Sequence, residues 1–230
     1  MPKISKRLEI LASLVPFGAR VCDIGTDHGY LSIELKKRGA VEKMIATDIN
    51  EKPLSRARKN IEKAGVNGIE LRLCDGLKGI SPHEVDTVVI AGMGGEVISG
   101  ILEKGKEVAE CGEISFVLQP TTSPEHLRSF LFENGYTIKS ETPLSENGKL
   151  YSVMLCKFSG IKEQYKEYYC FIGKITAETH AGYLYIKKQY ERCRKCATAL
   201  KDIPEKQSEY NRYKAIADSL DIVLKQSSKE

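Results

Sequence analysis

The chain has 230 residues, with 35 Lys/Arg against 31 Asp/Glu and a formal net charge of +4. That length holds one full α/β unit with a small appendage, and the composition is that of a soluble globular protein. Lys3, Lys6, Arg7 and Glu9 interrupt the amino-terminal apolar residues and no run approaches a membrane span, so the expectation is a cytoplasmic protein with no membrane partner.

The charge is unevenly placed. Residues 1–160 carry 21 basic and 21 acidic side chains, whereas residues 161–230 carry 14 and 10. A basic appendage on a neutral unit suits a polyanion, and equally suits a solvated helical face. The seven cysteines lack framework spacing and read as reduced thiols. Cys193-Arg-Lys-Cys196 is the one CxxC pair; it lies in a helical pattern with no second pair or nearby histidine, so no metal site is expected.

Taken in order, Ile4, Leu8, Leu11 and Leu14 predict an amphipathic helix over 4–14, ended by Pro16-Phe17-Gly18. A buried strand follows at about 20–24, then a turn bracketed by Gly25 and Gly29, then a helix from Tyr30 to about Arg38. Met44 to Thr47 is a second strand ending at Asp48; Pro53 opens the next helix and Gly65 closes it. Ile69 to Leu73 is a third strand, followed by Cys74-Asp75-Gly76. The continuous run Thr87-Val-Val-Ile90 marks a central parallel strand, with Gly92-Met-Gly-Gly95 as the loop after it and a helix from about Glu96. Ile114 to Leu118 is a fifth strand ending at Gln119-Pro120, and Ser123 is the expected N-cap of the next helix with Pro124 at its first position. Tyr136 to Glu141 and Leu150 to Cys156 form an antiparallel pair joined around Asn147-Gly148, with a connection that reads as too long for a two-residue turn.

Five strand–helix alternations and a closing hairpin predict a doubly wound α/β sheet over residues 1–160. Residues 161–230 lack strand alternation. Tyr165, Ile172, Thr179, Ile186, Cys193 and Leu200 recur every seven residues, which predicts a coiled-coil-like helix broken at Pro204 and folded back as a hairpin. Ser227 to Glu230 read as a frayed tail. The tyrosine-rich seam can pair within or between chains; a monomer is the working expectation.

A glycine-bearing strand–turn–helix holds nucleotide-like ligands at the carboxyl ends of strands. Here the loop Gly25-Thr-Asp-His-Gly29 lacks the G-x-G-x-x-G pattern and carries an acid where a pyrophosphate needs bare N–H groups. S-Adenosylmethionine, with an ammonium and a sulfonium and no phosphate, suits such a loop better than a nicotinamide dinucleotide. Asp23 closes the first strand, Asp48 the second, 25 residues on where an acid takes ribose hydroxyls, and Asp75 follows the third. Each acid alone reads as a turn former; three at successive strand ends point to a shared ligand. Lys187, Lys188, Arg192, Arg194 and Lys195 cluster on the tail helix, and Lys36, Lys37 and Arg38 form a second basic group.

Asp23-Ile-Gly-Thr-Asp-His-Gly-Tyr-Leu31, Ala46-Thr-Asp-Ile-Asn50, Cys74-Asp-Gly76, Ala91-Gly-Met-Gly-Gly95 and Gln119-Pro120 together resemble the TrmK family of class I adenosylmethionine-dependent methyltransferases, which act on N1 of adenine-22 in tRNA. The resemblance covers about 1–157 closely and the tail in kind only; Gly29 departs from it, since many relatives are expected to carry alanine there. It implies a Rossmann-like class I sheet with a helical hairpin at 161–230 that contacts tRNA. It further implies that Asp23, Gly25, Thr26, Asp27, His28 and Tyr30 line the methionine end of the donor, and that Asp48, Ile49 and Asn50 hold ribose and adenine with Asp75 and Gly76. Gly92, Met93, Gly94, Gly95, Gln119 and Pro120 would then face the incoming base, Gly92 and Gly94 also bordering the donor, with Lys187, Lys188 and Arg192 on the RNA. Asp27, His28, Tyr30 and Met93 are the candidates nearest the chemistry. The strand-four loop lacks the Asn/Asp-Pro-Pro-aromatic pattern of exocyclic-amine methyltransferases. Methylation of another RNA or a small molecule, and an RNA-binding protein with a vestigial pocket, are the rival readings.

Overall fold

The computed structural model describes residues 4–226, so the tail expected to fray at Ser227–Glu230 lies outside the described residues. Helix α1 (Lys6–Ser13) is N-capped by Ser5, whose side chain accepts from the Leu8 amide. Then come β1 (Ala19–Ile24), α2 (Tyr30–Lys37), β2 (Val41–Asp48), α3 (Glu51–Ala64) and β3 (Ile69–Leu73). The chain continues with β4 (Thr87–Gly94), α4 (Gly95–Lys104), a short α5 (Lys106–Glu110), β5 (Ser115–Thr122) and α6 (Pro124–Glu133). The hairpin β6 (Tyr136–Glu146) and β7 (Lys149–Phe158) precedes α7 (Tyr168–Ile172), α8 (His180–Leu200) and α9 (Gln207–Gln226).

Seven strands form one sheet in the order β3-β2-β1-β4-β5-β7-β6. The first five are parallel, and β7 runs antiparallel to both β5 and β6. The order reverses between β1 and β4, which opens the crevice where open α/β sheets take ligands. Alternation along β4 separates two cores: Val88 and Ile90 face one with α4, α6 and the tail helices, and Val89 faces the other with α1 and α2.

Several expectations are corrected. Glu146 pairs with Lys149, so Asn147 and Gly148 alone make the turn, at φ 50° and 73°. Two positive φ values in an Asn-Gly pair are the type I′ geometry that matches strand twist. The strand extends past Glu141 because β6 is the sheet edge, where Pro143 removes no inner ladder bond. Ser123 precedes α6 but adopts φ 48° with no side-chain cap, although Pro124 does take the first position. Helix α3 begins at Glu51, two residues before Pro53.

The heptad helix expected from Tyr165 is interrupted. Gly173 ends α7 at φ 56°, and a Cβ there would meet Glu141 Oε2 at 1.9 Å. Thr179 N-caps α8 through the Gly182 amide, and Gly182 is required because Thr176 O passes 2.0 Å from where its Cβ would stand. Helices α8 and α9 then fold back as the expected hairpin, burying Tyr185, Ile186, Cys193 and Ala197 of the first and Ile216, Ala217 and Leu220 of the second.

One side chain ties this region to the sheet. Arg128 of α6 is fully buried and pairs with Glu141 of β6 at 2.5 Å. It also donates to Cys170 O and Phe171 O of α7, to Ser152 of β7 and to the Tyr185 hydroxyl of α8. No described helix is long and apolar enough to cross a membrane.

Candidate functional site

The carboxyl end of β1 runs into the glycine turn. The Gly25 and Thr26 amides both donate to Thr47 O, at 2.8 and 2.9 Å, which fastens the turn to β2. Gly25, Asp27 and Gly29 all have positive φ, at 73°, 46° and 70°. Glycine adopts this region freely, and aspartate is one of the few other residues that tolerates it. At Gly29 the expected alanine would be strained, with its Cβ 3.2 Å from Ala57 Cβ, so this departure has a backbone reason.

Asp23 lies buried beneath the turn. Thr26 Oγ1 and Ser32 Oγ donate to its Oδ2 at 2.7 and 3.0 Å, leaving Oδ1 for a ligand's donor. Burial pushes the Asp23 carboxyl up, against the two hydroxyl bonds that pull it down, and the nearby Asp48 adds to the rise. A cation delivered to this carboxylate restores the charged form.

Above it opens a cleft of about 310 Å³, walled by Arg7, Leu8 and Leu11 of α1, the β1–α2 turn, and Ala91, Gly92 and Met93 of β4. Gly25 is what lets Met93 in: a Cβ would stand 2.0 Å from Met93 Cε. Gly92-Met-Gly94 is not a loop, as expected, but the bulged end of β4, paired as Met93↔Pro120 and Gly94↔Thr122. Gly92 at φ 80° makes the bulge, and bulges of this kind re-aim side chains beside ligand sites. Gly95 starts α4 directly against Ser123 O, 2.2 Å from a would-be Cβ.

Gln119 is not available to a base. It is fully buried, its Oε1 accepts from the Gly92 amide and Arg7 Nη1, and its Nε2 donates to Pro120 O. It braces the wall of the cleft. Arg7, which sequence reasoning passed over as part of an amphipathic helix, reaches this point because Glu146 of the last hairpin holds its backbone amide.

On the rim, Asp27 is half exposed and lies 3.2 Å from Arg56 of α3 and 3.3 Å from His28 Nε2. The His28 ring stacks on Tyr30 with 5.3 Å between centroids, and Asn60 of α3 holds His28 O at 2.9 Å. Arg56 and Asn60 reach the turn from α3 rather than from a strand-end loop, so no motif marks them in the sequence.

Further along the crevice, Asp48 Oδ1 accepts from the Asn50 amide at 2.9 Å, and its second oxygen remains for a hydroxyl. Ile49 beside it is 62% exposed, an apolar platform for a flat ring. Asp75 Oδ2 is held by Lys78 at 2.8 Å and Lys104 at 3.7 Å, and the Lys78 ammonium keeps its carboxyl below the usual range. Gly76 at φ 60° packs on Ile101.

The basic clusters are partly committed elsewhere. Arg192 pairs with Glu125 of α6 at 2.6 Å and lies over Phe171, with about half of its side chain still exposed. Lys187 lies over the Tyr183 ring, and Lys188 is exposed. Lys36 is anchored on Glu42 O and Arg38 on Glu34. Cys193 is buried, its thiol pushed up to about 11 by that burial, and among the described residues no group of His, Cys, Asp and Glu could hold a metal.

Among known proteins, a family model described as a methyltransferase domain matches residues 4–154. The chain is similar to the tRNA (adenine(22)-N(1))-methyltransferase of Bacillus subtilis, 38% identical over 156 residues, covering 67% of this chain and 65% of that protein's length. It is similar to a crystal structure of a Streptococcus pneumoniae protein, described as a candidate tRNA (m1A22) methyltransferase, in complex with S-adenosyl-L-methionine. That likeness has a TM-score of 0.81 at 32% identity, over 96% of this chain and 100% of the other. The M. capricolum TrmK structure with S-adenosyl-homocysteine matches at TM-score 0.80 and 28% identity, over 96% and 99% of the two chains.

Proposed function

The chain belongs to the TrmK family of methyltransferases, and from that premise we propose that it methylates N1 of adenine-22 in tRNA with S-adenosylmethionine. The observation that carries this reading is the buried Asp23 carboxylate, with one oxygen open at the switch point of the sheet. An acid-floored cleft with a platform at Ile49 and an open oxygen on Asp48 fits a donor that is cationic at one end and a nucleoside at the other.

Adenosylmethionine supplies, when bound, a methyl group activated by its own sulfonium. In this reading Asp23 holds the ammonium, Asp48 the ribose hydroxyls, and Ile49 with the Gly76 segment the adenine ring. The target nitrogen already exposes a lone pair, so no side chain has to remove a proton before attack. The chain's contribution is alignment within a walled cleft, in which Met93, braced through Gly92 and Gln119, sets the position of the incoming base. N1 lies on the Watson–Crick edge, so the base must be unpaired to enter.

As the base becomes cationic, Asp27 on the rim stabilises the developing charge. Asp27→Asn is therefore expected to lower kcat by about tenfold to a hundredfold while moving donor affinity little; equal losses in both would make Asp27 a binding residue. A second expectation concerns pH. A carboxyl with a raised pKa is neutral below that pKa and charged above it. Donor affinity measured by calorimetry should therefore fall as the pH is lowered toward the acid side, and the fall should begin above the range where an ordinary aspartate takes up its proton. Asp23→Asn should flatten the profile and weaken binding throughout; a wild-type affinity indifferent to pH would remove the ammonium from Asp23.

The deciding experiment is incubation with labelled adenosylmethionine and unmodified bulk tRNA, followed by nucleoside analysis and mapping of the site. N1-methyladenosine at position 22 is the expected product. Label in no RNA, with donor binding intact, would favour a small-molecule acceptor; no donor binding would favour an RNA-binding protein with a vestigial pocket.

A further inference from the structure

Helix α3 carries an unusual outward face. Successive residues step by about 100°, so Lys52, Arg56, Lys59 and Lys63 fall within about 60° of one another. The buried Leu54 and Ala57 lie on the opposite side. All four basic residues are exposed. Glu51 and Glu62 lie off this stripe, toward the helix's flank. Arg56 pairs with Asp27 on the cleft rim, while Lys52, Lys59 and Lys63 have no ion pair among the described residues. This contrasts with Arg192, Arg38 and Lys36, each of which is bound to its own fold.

The helix is also registered on the site. It starts directly after Asp48, Ile49 and Asn50, and Arg56 and Asn60 bond the β1–α2 turn at Asp27 and His28 O. An open groove lined by Lys52, Ser55, Arg56 and Lys59 lies along its first two turns. The stripe spans eleven residue steps, about 16 Å of helix, long enough to follow several consecutive phosphates.

We propose that this α3 stripe is a docking rail for the phosphate backbone of the RNA substrate, leading it to the cleft at Asp27. The inference rests on the tRNA reading above and adds a surface to it. Ammonium groups without intramolecular partners release counterions when phosphates replace them, so each contributes to affinity and to its salt dependence. Arg56 is the junction: a phosphate that draws its guanidinium away leaves Asp27 facing the base.

The test compares wild type with the triple variant Lys52→Gln/Lys59→Gln/Lys63→Gln and the charge-keeping triple Lys52→Arg/Lys59→Arg/Lys63→Arg. Binding of unmodified tRNA is measured by fluorescence anisotropy across a salt series, and donor affinity by calorimetry. The glutamine triple should bind tRNA about tenfold or more weaker near 0.1 M salt, with the slope of log K against log salt shallower by about two. Its donor affinity should be unchanged, and the arginine triple should bind like wild type. Wild-type tRNA binding with the same affinity and slope in the glutamine triple would overturn the inference alone. A wild-type chain that binds no tRNA would overturn it together with the functional reading.

Discussion

Arg128→Leu is expected to destabilise the fold by about 3–5 kcal/mol, read as a lower urea midpoint at unchanged slope. The guanidinium has no exposed surface, and five elements meet on it. Removing it leaves Glu141 charged and buried, with the Lys174 amide as a remaining donor. It also strips the donor from two carbonyls of α7 and from the Tyr185 hydroxyl. The double variant Arg128→Leu/Glu141→Leu should recover part of the loss, since no uncompensated charge remains, and the difference gives the coupling in a cycle. A single-variant loss under about 1 kcal/mol would mean that the pair behaves as a solvated one.

Gly25→Ala is expected to abolish useful donor binding while leaving the protein folded. At φ 73° an alanine costs about 1–2 kcal/mol, which a chain of this size tolerates. The new methyl also stands 2.0 Å from Met93 Cε, and the cleft that Met93 lines offers the displaced thioether free volume. The loss of donor affinity should exceed thirtyfold, about 2 kcal/mol, against a much smaller change in urea midpoint. The double variant Gly25→Ala/Met93→Ala separates the two causes, because it relieves the clash and keeps the backbone strain. A single variant that binds donor within threefold of wild type would show that the turn does not approach it.

Much of the fold was legible because its signals are local. The β-branched run at Thr87–Ile90 belongs to a central strand, Gly65 closes α3 in the left-handed region, and Ile69–Leu73 is a strand to the residue. Errors arose where tertiary context overrides the local pattern. The proline-containing stretch Thr142–Glu146 has no strand alternation, yet an edge position accepts it and turns Asn147-Gly148 into a tight hairpin. The seven-residue spacing across Gly173 and Gly182 carried no sign that Glu141, Arg128 and Thr176 O occupy the space a continuous helix needs.

The site divides in the same way. Asp23, Asp48 and the glycines were visible as strand-end punctuation, and the structure places Asp23, Asp27, His28 and Met93 around one cleft. Gln119 was misread because its burial and its bonds to Gly92 and Arg7 depend on residues far away in sequence. Arg7, Arg56 and Asn60 carried no motif at all. They reach the site from helices, through packing that no spacing rule encodes.

The contact between the Arg7 amide and Glu146 spans 139 positions of chain. It fastens the first helix, one wall of the cleft, to the last hairpin. During vectorial synthesis the glycine turn emerges long before the segment that seats its opposite wall, so a nascent chain halted before Glu146 presents the floor of the cleft with one side unsecured. Competence to hold a donor should thus appear late on the ribosome, as a step at hairpin emergence rather than a gradual gain.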